Sequence, residues 1–402
     1  MANKLRFLSI NIEGYPLFEQ NLNFSLLTDS RVSQDYTESL MHLFGSNYTN
    51  NVTAIVGKNA TGKTMILKLT IGILSLILND KSISETWLKN AFFDESDVAF
   101  TTYLYSEDGF IYKDELVIAN NNETNGLIIK EEKIYRKKAL TSDSKKRLLD
   151  FSKSKLIMDR NNLKPDVAAI LAPDDSIFRT IIKMNNYLVP QITDNTVFTN
   201  INLFISNLGD VPSEILHYLD PSIEYLRIER ADTKGRQTFY RLKFKNDDKE
   251  ITDQNFATIE YYLSSGTAKG ISLYTQILSV LKNGGIIFVD EIENHFNHAI
   301  ARTFINYFKD PSINLNNAKL VFTSHYSEFL DDLDRNDQIY IARRLDKISL
   351  TRYSSTKMRT DIMRSDVFMS DSIHGTAPEY SAYLALKKAT IKKISDSNKR
   401  EG

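Results

Sequence analysis

The chain has no cysteine, which excludes disulfide scaffolds, thiol nucleophiles and thiolate metal sites, and fits a reducing compartment, so a cytoplasmic location is expected. It has almost no net charge: 50 Lys and Arg stand against 51 Asp and Glu. Global attraction to nucleic acid or to an anionic membrane is therefore excluded, and any such binding must come from a local patch. Long apolar runs are missing as well. The longest, Met65 to Leu78, is interrupted by Lys68 and is too short to span a bilayer. Met1 to Glu13 alternates apolar with polar residues instead of showing the basic and then apolar pattern of a signal peptide. No sustained heptad run is present, so a coiled-coil arm is not expected.

What the chain does have is the means to fold. Its 402 residues exceed one average domain, and 42% hydrophobic residues with 22 Phe and 20 Tyr supply a large core. Leu5 to Ile12 and Leu22 to Leu27 read as strands around a turn at Gly14 to Pro16, and Val52 to Val56 as a third that stops at Gly57. Met65 to Leu78 is apolar nearly all round, the signature of a helix buried on most sides. Val98 to Tyr105, Phe110 to Ile118 and Leu127 to Tyr135 alternate between turn-rich segments and read as an antiparallel meander. Helices are expected from there to about Leu208, then a sheet from Ile223 to Phe244. From Ser264 the order becomes helix, strand, helix, strand: Lys269 to Leu281, Ile286 to Val289, Ala299 to Phe308 and Lys319 to Thr323. Such alternation argues for a parallel sheet with covering helices. The lysine-rich tail after Lys387 reads as frayed. The expected division is an N-terminal lobe over 1–129, a helical and β insertion over 130–262, and a C-terminal lobe over 263–402.

Gly57, Lys58, Asn59, Ala60, Thr61, Gly62, Lys63 and Thr64 fit G-x-x-x-x-G-K-[ST] between an apolar strand and an apolar helix. In that setting backbone amides wrap phosphates, the helix start adds its positive dipole end, Lys63 reaches the outer phosphates and Thr64 ligates Mg2+. Gly57, Asn59, Gly62, Lys63, Thr64 and Met65 are the expected nucleotide contacts. Such a loop needs a second acidic strand, and Gly285 to Glu291 supplies four apolar residues ending in two acids. Asp290 is the expected second metal ligand, and Glu291 the general base that polarises the attacking water. Leu263, Ser264, Ser265, Gly266 and Thr267 open a helix, and a Ser-rich, Gly-containing helix start is an anion site. The first loop already holds its own nucleotide, so the client of Ser264 and Gly266 is the γ-phosphate on another subunit. An ordinary N-cap is the plain alternative. Thr323, Ser324 and His325 close a further apolar strand, which puts His325 where it can sense the γ-phosphate.

Taken in order, GKNATGKT, LSSGT, IIFVDE and FTSH resemble ABC-type ATPases, in particular the head domains of the SMC, RecF and OLD group. The resemblance implies an α/β P-loop fold: a head with a mixed parallel core sheet, an antiparallel β subdomain and a helical insertion, binding ATP and Mg2+. It makes Gly57 to Thr64 the Walker A loop, Ser264 to Thr267 the signature, Asp290 and Glu291 Walker B, and His325 the switch histidine, in heads that pair as a homodimer around ATP. The residues after Ser264, with Arg335 to Gln338 and Gly375 to Pro378, look more narrowly like the AbiLi-like abortive-infection ATPases. That likeness implies anti-phage defence with a separate effector protein encoded nearby. Glu293 to His298 departs from the Leu-His-Pro seen in relatives. No clear Q-loop glutamine stands out, Gln191 being the candidate.

The acidic Toprim segment that makes OLD proteins nucleases does not fit after Leu350. An effector enzyme is still conceivable at Arg359, Asp361, Arg364, Asp366 and His374, although surface ion pairing explains that cluster more simply. Residues 130–160 hold eleven Lys or Arg against five Asp or Glu. Lys133, Arg136, Lys137, Lys138, Lys145, Lys146 and Arg147 in that stretch open a route to nucleic acid, the plainer reading being a solvated helix face. A DNA- or RNA-binding ATPase and a nucleotide-stabilised scaffold with incidental turnover are the competing functions.

Overall fold

A computed structural model describes residues 2–121, 126–165, 171–197, 209–230, 238–294, 298–356, 358, 362–376 and 380–398. The inner strands of the central sheet are built from mostly β-branched and aromatic runs with no polar alternation, as a sheet covered on both faces requires, while its edge strands are more polar. Its strands are β5 (Val52–Val56), β10 (Ile192–Asn195), β15 (Ile286–Val289), β16 (Lys319–Ser324), β17 (Ile339–Arg344) and β18 (Ile348–Arg352), in the order β10-β15-β16-β5-β17-β18. All neighbours are parallel except β17 and β18, which form an antiparallel hairpin.

The two faces of this sheet feed two cores. Ile55, Ile286 and Phe288 point into one, while Val52, Ala54, Val56, Ile287 and Val289 point into the other, the period-2 alternation of a strand. On the first face lies helix α1 (Lys63–Leu78), buried along nearly its whole length. Beyond α1 an antiparallel sheet closes that core. Its strands β1 (Leu5–Glu13), β2 (Leu22–Ser25), β6 (Val98–Ser106), β7 (Phe110–Asn121), β8 (Gly126–Lys138) and β9 (Lys155–Asp159) run in the order β2-β1-β6-β7-β8-β9. A helix between two sheets has no wet face, which is why Met65 to Leu78 carries no polar stripe.

On the second face lie α6 (Ser265–Asn283) and α7 (His298–Lys309). A four-stranded antiparallel sheet of β11 (Gly209–Asp210), β12 (Ile223–Arg230), β13 (Thr238–Phe244) and β14 (Glu250–Asp253) shares this core. The remaining strands, β3 (Leu40–Phe44) and β4 (Asn47–Asn50), form a hairpin. The short helices are α2 (Lys145–Leu148), α3 (Phe178–Asn185), α4 (Ser213–Leu219), α5 (Phe256–Tyr262) and α8 (Arg364–Met369), and α9 (Tyr380–Asn398) ends the described chain.

Four expectations are corrected. The tail after Lys387 is helical: α9 runs through it, because alanine, leucine and lysine are strong helix formers even where packing contributes nothing. A boundary at 129/130 falls inside β8, and Ile192–Asn195 lies in the central sheet, so 130–262 is not one continuous insertion. The basic stretch is mostly strand, turn and strand instead of a helix face. Of the helices expected up to Leu208, α3 is the longest described, and 198–208 lie outside the described residues.

Candidate active site at the edge of the central sheet

Parallel strands deliver their C-terminal ends to one edge, and β5, β15 and β16 arrive there side by side. The loop after β5 turns sharply into α1: Ala60 has φ 63° and Gly62 φ 86°. Gly62 must lack a side chain, because a Cβ there would lie 2.5 Å from the Cδ1 of Ile348. Gly57 is held as closely from beneath, where a Cβ would meet the Ala342 carbonyl oxygen at 2.4 Å.

Lys63 opens α1 and is 5% exposed. Burial pushes its pKa down, and the Glu291, Asp290 and Glu293 carboxylates oppose that shift. Its ammonium donates to the Gly57 carbonyl at 2.7 Å, to the Lys58 carbonyl at 3.0 Å and to His325 Nδ1 at 2.9 Å. Those three bonds use all three of its protons. With Nδ1 accepting, the ring proton sits on Nε2 and is donated to Glu291 Oε1 at 2.6 Å. The other Glu291 oxygen accepts from Asn294 Nδ2 at 2.7 Å.

Thr64 Oγ1 donates to Asp290 Oδ2 at 2.6 Å, and Thr323 Oγ1 donates to Asp290 Oδ1 at 2.5 Å. Glu291 follows with φ 50°, a left-handed conformation unusual for a glutamate and pinned by its amide donating to Thr323 Oγ1 at 2.7 Å. Glu293 is 8% exposed, and its Oε1 accepts from the His325 amide at 2.6 Å, tying the ends of β15 and β16 together.

Lys63, Thr64, Glu291 and His325 face a cavity of about 870 Å3 that is also lined by the rest of Asn59 to Met65. Sequence reasoning missed its far walls. Tyr15, Trp87, Asn90, Ala91, Arg344 and Ile348 also line it. None of these six belongs to a motif, and only the fold brings them to the loop. The donor set suits a phosphate and a hard cation. Backbone amides at a helix start receive anionic oxygens, and a threonine hydroxyl beside an aspartate, both oxygen ligands, fits Mg2+, which takes few protein ligands and completes its shell with water and phosphate.

Ser264 and Gly266 do not line this cavity. Ser264 is exposed and caps α6, its Oγ accepting from the Thr267 amide at 2.9 Å. Lys269, further along α6, lines a recess of about 160 Å3 with Asp290 and Glu291. The head of α6 thus sits at the same sheet edge as the loop, with its first serine turned to solvent.

Residues 52–331, well over half of the chain, match the family described as "AAA domain, putative AbiEii toxin, Type IV TA system". The chain belongs to this family. This AAA-domain protein carries a P-loop, with the loop strand β5 and the acidic strand β15 separated by β16. Among solved structures it is similar to the SMC head domain from Thermotoga maritima, at 11% identity over 86% of this chain and 98% of that one, with TM-score 0.38. It is also similar to the recombination mediator protein RecF bound to ATP, at 13% identity over 88% and 98%, with TM-score 0.39. No curated protein matches it.

Gln191 is not at the nucleotide edge. It precedes β10 at the opposite end of the sheet, where its Oε1 accepts from Ser279 Oγ at 3.3 Å and Asn283 Nδ2 at 2.8 Å. The residues of β10 level with Val289 and beyond are Asn195 and Thr196. His295 to Asn297, Arg359, Asp361, Ala377 and Pro378 lie outside the described residues. Arg364 holds loops together, donating to Asn336 Oδ1 and to the Leu330 and Leu333 carbonyls.

The basic stretch is largely committed inside the chain. Lys130 pairs with Asp97, Arg136 covers the Phe110 ring, and Lys137 donates to the Arg147 and Asp150 carbonyls. Lys145 donates to Thr28 and Ser30, and Arg160 to Asp175, Ala172 and Pro173. Lys138, Lys146, Arg147, Lys153 and Lys155 remain exposed. No helix of the described residues is long and apolar enough to cross a membrane.

Proposed function

We propose that the chain hydrolyses Mg-ATP and that two copies close around it as a switch. The observation that carries this is the convergence of Lys63, Thr64, Glu291 and His325 on one cavity at the ends of three adjacent parallel strands, with Asp290 hydrogen-bonded to Thr64 beside it. In this reading the loop amides, with Asn59 and Met65 alongside, hold the phosphates. Lys63 exchanges its loop carbonyls for the outer phosphates, and Thr64 and Asp290 hold Mg2+, which neutralises charge on the phosphates. Glu291 accepts the proton of the attacking water. His325, already bonded to both Lys63 and Glu291, reports whether the γ-phosphate is present.

The exposed Ser264 and the half-buried Gly266 at the head of α6 complete the site from a second copy, since they stand outside their own chain's cavity. The family name speaks of a toxin and a type IV toxin–antitoxin system. Together with the resemblance to abortive-infection ATPases, that supports a role in phage defence, with the closed dimer presented to a separate effector protein. Any nucleic-acid contact falls to Lys138, Lys146, Arg147, Lys153 and Lys155.

The test is to remove the base and watch assembly. Glu291→Gln with saturating Mg-ATP should accumulate as dimer in sedimentation, and adding Ser264→Arg should return it to monomer without loss of ATP binding. A Glu291→Gln protein that stays monomeric at saturating ATP would end the switch reading.

A further inference from the structure

We propose that Arg344 grips the base and ribose of the bound nucleotide, so that the site reads the nucleoside as well as the triphosphate. This rests on the reading of the cavity as an ATP site and adds to it a residue outside every motif.

The direction of the nucleotide follows from the strand order. Glu291 and His325 follow β15 and β16, on one side of the loop strand β5, and β17 and β18 lie on the other. A triphosphate whose last phosphate meets Glu291 and His325 must therefore extend its other end over the β17–β18 hairpin. That hairpin is packed hard against the loop: Ile348 touches Gly62, and the Ala342 carbonyl supports Gly57. Arg344 ends β17, stands directly across the hairpin from Ile348, and lines the same cavity.

Its side chain is free to act. Neighbouring arginines are committed: Arg343 donates to the Ile373 carbonyl and Thr351 Oγ1, Arg352 to the Asp337 and Leu27 carbonyls, and Arg335 to Asp337 and Ser30. Arg344 is exposed, and no hydrogen-bond or ion-pair partner holds it among the described residues. Trp87, Asn90 and Ala91 line the same cavity, with the Tyr15 hydroxyl donating to the Ala91 carbonyl at 2.7 Å. One cation already lies over the Trp87 ring, Lys68 Nζ at 4.1 Å from its centroid, so the Trp87 wall has its charge and the hairpin wall is where a ligand would find an unsatisfied one. A guanidinium is planar, stacks on aromatic faces and carries five donors, which suits the flat face and ring-nitrogen acceptors of a purine and the hydroxyls of a ribose.

The experiment compares two probes, Mg-ATP and Mg-tripolyphosphate, by calorimetry on the full chain. Arg344→Ala should weaken Mg-ATP by roughly 5- to 30-fold and leave tripolyphosphate unchanged. Arg344→Lys, which keeps the charge and loses the planar fork, should resemble the alanine variant. The urea midpoint should not move in either variant, because the side chain holds no part of the fold. Equal weakening of both probes would place the arginine on a phosphate and overturn the proposal, as would unchanged binding of both. Failure of the underlying ATP reading looks different: the parent chain would bind neither probe, or Lys63→Ala would bind both as tightly as the parent.

Discussion

Two acid pairs in this chain, Asp114 with Glu132 and Asp290 with Glu291, show how position decides what a carboxylate is for. Asp114 lies mid-strand on β7, 1% exposed, with no hydrogen-bond partner on either oxygen. Glu132, on the same buried face of β8, is fully enclosed but well served by Ser176, the Ile177 amide and Arg160. Burial pushes both pKa values up, that of Asp114 well up, with Glu132 adding to it. Asp290 and Glu291 instead stand where a parallel strand ends. Each of their oxygens has a partner, and a large cavity opens in front of Glu291. A carboxylate in mid-strand is sealed by its neighbours, whereas one at a strand end keeps access to water and ligand while the loop amides and hydroxyls around it hold its charge.

The comparison can be broken at its catalytic end first. Glu291→Gln is expected to lower turnover by at least ~100-fold while ATP binding and thermal midpoint stay as in the parent. Unchanged turnover would reassign the base. Next in size, Glu132→Ala should cost about 2 kcal/mol of stability in urea unfolding, because it strands the Ile177 amide and Ser176 in the core, with ATP turnover per folded molecule unaffected. A neutral result would show that water reaches this layer.

Smallest is Asp114→Asn, which should stabilise the protein. A folded-state pKa raised above its unfolded value contributes stability that is complete below the ordinary carboxylate range and is lost as pH rises through the raised value. The asparagine variant has no such proton to lose. Its advantage should therefore be absent near pH 3 and grow to about 1 kcal/mol by pH 8. A difference that did not change with pH would mean that the Asp114 carboxyl is not held protonated in the folded chain.

The strand-end pair was legible in sequence because its neighbours spell a local geometry. Four apolar residues before two acids make a buried strand with acids at its tip, and GKNATGKT makes a loop between a strand and a helix. The buried pair was illegible, since a lone aspartate in FIYKDELVI alternates like any meander strand, and only the helix packed above it decides which face is dry. Gln191 was misplaced for a similar reason: the residue type suited the role, but the parallel register of β10 on β15 puts it at the far end of the strand.

The amino-acid order alone determined the P-loop, the acidic strand, the capped helix at Ser264 and the strand-end histidine, because each depends on contacts within a few residues. Only the tertiary structure decided that Lys63, His325 and Glu291 form one hydrogen-bonded chain, that Lys130, Arg136 and Lys145 are already spoken for, and that Tyr15, Trp87 and Arg344 wall the same cavity. Those facts join residues far apart in sequence, and a local pattern carries no information about which distant side chain a strand order will set beside it.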